Sequence, residues 1–179
     1  ITPTKALVRT IPFRGPEANA IHETHRLKIG RGGKATLGTT LEGTGTYGVV
    51  LRSVLQTEGR RKSILEPRIG KTFSGARVTS VKTSNLKNLD QPVKVEVEVD
   101  VPSVLSKTAG GGFELEPVRS WLFDLIYLGG DKVSGFAADT ERVHDVVLKI
   151  PSGVSEKVIY ELPDDLHVES VPQPVIIDQ

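Results

Sequence analysis

The sequence predicts a mainly β chain, an antiparallel β-sandwich with a helical pair inserted at about residues 44–73. Three observations point there. Val93, Val95, Val97, Val99 and Val101 alternate with Lys94, Glu96, Glu98 and Asp100, the period-two pattern of a strand with one buried and one wet face. Tyr47, Val50, Leu51, Val54 and Leu55 recur at the spacing of one helix face. Eighteen glycines and 11 prolines, with aromatics at only 5% and Val and Leu leading the apolar set, favour short strands and turns over a helical bundle.

The elements follow in order. Residues 1–20 read as a leader or linker broken by Pro3, Pro12 and Pro16. Ile21 to Ile29 and Lys34 to Glu42 read as two strands joined by the turn Gly30-Arg31-Gly32-Gly33. The first helix is capped by Thr44 or Thr46 and ended by Gly59. A second carries Ile64, Leu65, Ile69 and Phe73, and Pro67 is expected to kink or shorten it. Ala76 to Ser84 returns to strand, Asn85 to Pro92 is a loop, and the valine strand follows until Pro102 stops it. Gly110-Gly111-Gly112 marks a turn. Leu115 to Leu128 fits strand or helix equally. Glu141 to Ile150 and Val154 to Leu162 read as partner strands around Pro151-Ser152-Gly153. The domain is therefore expected over 21–165, with 166–179 an extended tail carrying Pro172 and Pro174.

Composition excludes several classes. A net charge of +1 supplies no global field toward nucleic acid. Without cysteine there is no disulfide, no CxxC redox pair and no thiolate metal site. No apolar run reaches the length of a membrane-spanning helix. The chain has no methionine and begins Ile1-Thr2-Pro3, so it reads as a cleaved product or a piece of a longer chain, and the apolar Val175 to Ile177 suggests continuation.

Gly70-Lys71-Thr72 resembles the end of a phosphate-binding loop, but Leu65 stands where the motif needs glycine, and a helix precedes it where a strand is required. The Gly30–Gly33 amides with Lys34 can cradle an anion, but a plain hairpin turn explains the same residues and is the expected reading. In His22-Glu23-Thr24-His25 the histidines are three apart on a strand, so they face opposite ways, and two surface histidines are expected. His144-Asp145 lacks a serine elbow. Arg52, Arg60, Arg61, Lys62 and Arg68 form a candidate basic interaction face, or a solvated one. The tail beyond Pro151 is acidic, with Glu156 and Glu161 among its residues. Trp121, Phe123 and Tyr127 are either core or an aromatic ligand platform. No catalytic residue, metal ligand or cofactor is expected within the chain.

One series of short motifs resembles a known family. It runs through Leu41-Glu42-Gly43, Val50-Leu51-Arg52, Ser74-Gly75-Ala76-Arg77-Val78 and Asn88-Leu89-Asp90-Gln91-Pro92-Val93. It continues with Glu141-Arg142, Lys149-Ile150-Pro151-Ser152-Gly153 and Glu161-Leu162-Pro163. Their order resembles the C-terminal β-rich region of multidomain bacterial transglutaminase-like proteins, in which a transglutaminase-like Cys-His-Asp core lies upstream. The resemblance implies a periplasmic or secreted site. It also implies a non-catalytic accessory role beside the core, with the rest of the parent polypeptide or another protein as partner. The alternative is a stand-alone binding or adhesion module for a glycan or protein.

Overall fold

The structure, a computed structural model, describes residues 14–115, 117–118 and 152–176. The valine stripe is a strand, β4 (Val93–Val101), and its five valines are each 2% exposed or less. It is flanked by β2 (Ala35–Gly43) and β3 (Arg77–Ser84), both antiparallel to it. On the far side of β2 lies β1 (Ala20–Ile29), its hairpin partner. Gly32 and Gly33 make that hairpin turn with φ of 75° and 81°, a region open to glycine at no steric cost. The last strand, β7 (Gly153–Glu161), completes a five-stranded sheet of order β3-β4-β2-β1-β7. A short hairpin, β5 (Leu105–Lys107) with β6 (Phe113–Leu115), turns at the expected glycine triplet.

Two helices, α1 (Gly45–Leu55) and α2 (Arg61–Thr72), fill the crossover between β2 and β3, as the sequence predicts. They pack on one face of the sheet, α1 against β1, β2 and β4 and α2 against β3. Leu51, Leu55, Leu65 and Ile69 are wholly buried and share one core with Leu37, Leu41 and the valines. Burial of each such side chain contributes roughly 1.5–3 kcal/mol. Leu51 comes so close to β2 that a Cβ on Gly43 would stand 2.6 Å from its Cδ1 and force that buried side chain to shift.

Several expectations are corrected. The sheet is mixed, because β7 runs parallel to β1 and pairs with it from Ala20↔Gly153 to Lys28↔Glu161. Val154 to Leu162 was expected to pair with Glu141 to Ile150, which lies outside the described residues. A strand reached by a long connection is free to join in parallel, as a tight hairpin is not. Among the described residues, α1 and α2 rather than a second large sheet cover the buried face. The amphipathic stripes of the helices supply the apolar layer that a sandwich would take from strands. Thr44 takes the N-cap position of α1 as expected, but without a side-chain cap; Asn19 Oδ1, just ahead of β1, accepts from the Thr46 amide at 3.0 Å instead. The helix ends at Leu55, four residues before Gly59. Helix α2 carries Pro67 inside it, as expected, and runs on to Thr72.

Candidate functional site

The buried face of β1 alternates correctly but not with apolar residues alone. Ile21, Leu27 and Ile29 point into the core, and so do Glu23 and His25, which are 2% and 0% exposed. An i, i+2 pair on a strand shares a face, so the two side chains stand side by side at the centre of β1. Register supplies a third group. Glu156 of β7 lies directly opposite Glu23 across the parallel seam.

Three interactions organise the cluster. His25 Nδ1 lies 2.9 Å from Thr39 Oγ1 of β2, within a buried pair. The other ring nitrogen, Nε2, lies 3.2 Å from Glu156 Oε1 and 3.6 Å from Glu23 Oε2. Despite these distances, Nε2 forms no hydrogen bond of acceptable angle among the described residues. The Glu156 side chain is 34% exposed, so the cluster opens to solvent on the β7 side. One atom from each of Glu23, His25 and Glu156 falls within 4.8 Å of the other two. A nitrogen lone pair and two carboxylates at this spacing can share a proton or hold a cation.

The histidine pair of the sequence thus divides. His22 and His25 face opposite ways, as their spacing requires. His22 is exposed, with Nδ1 2.7 Å from Ser155 Oγ. His25 is not the surface histidine expected, because the face it shares with Ile21 and Leu27 lies under the helices. The signal for it was in the sequence: Glu23 and His25 interrupt an apolar face at the same parity. Glu156 carried no such signal, since nothing local ties it to β1.

The candidate basic face is largely committed to backbone carbonyls. Arg52 Nη2 donates to the carbonyls of Asn88 at 2.7 Å and Gln91 at 2.8 Å, holding the β3–β4 loop. Arg61 Nε donates to the Leu55 carbonyl, Arg68 Nη1 to that of Ile64, and Lys62 Nζ to that of Thr79. Thr79 sits at a register shift in the β3–β4 ladder, where a carbonyl loses its regular partner. Arg60 opens α2 through its backbone. Arg52 thus ties α1 to the β3–β4 loop, Arg61 ties α2 to the end of α1, Lys62 ties α2 to β3, and Arg68 bonds within its own helix. Trp121, Phe123, Tyr127, His144 and Asp145 lie outside the described residues.

The other face of the sheet is polar. Gly38, with no side chain, leaves a depression of about 430 Å³ among Thr24, Arg26, Thr40, Lys82 and Glu98. Lys94 and Glu96 pair on this face at 2.8 Å, and Arg26 pairs with Glu161 across the β1–β7 seam. The hydrogen bond and charge of Glu96 hold Lys94 above its ordinary pKa, and those of Lys94 hold Glu96 below its own. No helix among the described residues is long and apolar enough to cross a membrane. Comparison with family models, with curated proteins and with solved structures returns no match.

Proposed function

We propose that this chain is a non-catalytic accessory domain of a larger transglutaminase-like protein, secreted or periplasmic. In this reading it packs on the core of that protein or holds a protein or cell-wall substrate beside it. The observation that carries the reading is apolar surface left open along one segment. Val168, Val171, Val175 and Ile176 are 61%, 71%, 79% and 85% exposed. They lie on a stretch, 166–176, without helix or strand. Single exposed apolar residues are ordinary, but four within so short a segment suit a surface that a partner covers. A segment outside any helix or strand can also add to the edge of a partner's sheet.

The test is the mass and peptide map of the native polypeptide from its source cells. A chain several times longer than these 179 residues, carrying a Cys-His-Asp core upstream, is the expected result. A native polypeptide no longer than this chain removes the parent core and leaves the stand-alone binding module in its place.

A further inference from the structure

We propose that Glu23, His25 and Glu156 form a binding site for a divalent transition-metal cation, with Zn²⁺ the best fit, that ties β7 to β1. The proposal is independent of the accessory-domain reading. It starts from His25. The ring is wholly buried, and its Nδ1 is engaged by Thr39 Oγ1 at 2.9 Å. When Nδ1–H donates to that hydroxyl, the lone pair sits on Nε2, the tautomer a metal ligand needs. Nε2 is aimed between two carboxylates yet hydrogen-bonds to neither among the described residues.

The spacing fits an ion. Zinc–nitrogen and zinc–oxygen bonds of about 2.0–2.2 Å at a tetrahedral angle separate neighbouring ligand atoms by roughly 3.3–3.5 Å. The two separations from Nε2, 3.2 Å and 3.6 Å, bracket that value. Register adds a second argument. Glu23 and Glu156 are direct cross-strand partners, so both carboxylates reach the same side of Nε2, and a bound cation is attracted to each. The donor set of one imidazole and two carboxylates selects Zn²⁺ or a neighbouring transition ion over Mg²⁺ and Ca²⁺, which prefer oxygen alone. Three protein ligands leave a fourth position, and the partly exposed Glu156 gives it to water. With no cysteine in the chain, no thiolate competes.

The consequence is structural. Glu156 comes from a strand far along the chain from β1, so an ion bound here closes a long loop and couples metal occupancy to folding.

The experiment is equilibrium dialysis of the chelator-stripped chain against Zn²⁺, read as bound metal per chain, with melting temperature measured in parallel. The expected result is one equivalent bound and a melting temperature that rises with Zn²⁺. Thr39→Val, which keeps the shape and removes the hydroxyl, should weaken binding about 10–100-fold. Glu156→Gln, at a partly exposed position that tolerates the change, should abolish the equivalent, and His22→Ala should leave it in place. Co²⁺ in place of Zn²⁺ should give the intense visible absorption of a tetrahedral site. No stoichiometric binding by the stripped chain, or binding that survives Glu156→Gln, overturns the proposal and leaves an ion-paired histidine.

Discussion

His25 Nε2 stands 3.2 Å from Glu156 Oε1, across the seam that joins β1 to the last strand of the sheet. The two partners are not equally placed. His25 is wholly buried beside the buried carboxylate of Glu23, whereas about a third of the Glu156 side chain meets solvent. In metal-free buffer, His25→Ala is expected to cost about 3–5 kcal/mol, because it empties a wholly buried position and leaves Thr39 Oγ1 without its partner. Glu156→Gln should cost at most about 1 kcal/mol, since solvent screens what it removes. Urea unfolding of both variants checks the order, and an equal or reversed cost contradicts the assignment of β1's inner face.

Gly43 and Leu51 form a second tight pair. Gly43→Ala forces a methyl into the Leu51 side chain and should destabilise by about 1–3 kcal/mol. Leu51→Ala empties a fully buried position and should cost about 2–5 kcal/mol. Together they should cost less than the sum, because the shortened side chain makes room for the added methyl. Additive costs from denaturant titration would mean that α1 does not sit on β2 as described.

Arg52 ties α1 to the β3–β4 loop through the carbonyls of Asn88 and Gln91. Arg52→Ala should lower stability by about 1.5–3 kcal/mol, the range for hydrogen bonds to a charged donor. It should also speed amide exchange over residues 85–91. Arg52→Lys should recover only part of this, because the shorter, freely rotating ammonium lacks the planar guanidinium that holds the donors in place. Full rescue by lysine would return Arg52 to the solvated face.

The Lys94–Glu96 pair gives a pH dependence of known sign. Glu96 titrates below its ordinary value when folded, so its contribution is present above the usual carboxylate range and is lost as pH falls through the lowered value. Lys94 titrates above its ordinary value, so its contribution is complete below the usual lysine range and is lost as pH rises through the raised value. Between about pH 5 and pH 10 the pair adds no slope. Both groups are solvent-exposed, so melting curves of Glu96→Gln should differ little from the parent and converge with it in high salt.

What could be read from the sequence was what local pattern encodes. The valine stripe is a strand because alternation over nine residues admits no other buried geometry, and its ends, Val93 and Val101, fall where the alternation does. The helical pair is legible for the same reason at period 3.6. Pairing between β1 and β7 leaves no local trace, so Glu156 read as one more residue of an acidic tail. Arginine count does not reveal where guanidinium groups point, and the basic segment proved to be tied to carbonyls. The Glu23 and His25 pair was readable in principle, since two polar residues of one parity on an apolar strand face must be accommodated under the helices.

The central claim, that the exposed apolar segment is a docking surface, is tested most directly by hydroxyl-radical footprinting. Val168, Val171, Val175 and Ile176 should be labelled freely in the isolated chain and protected in the native protein isolated from its source cells. Equal labelling in both would contradict the claim and leave that surface open in the working protein.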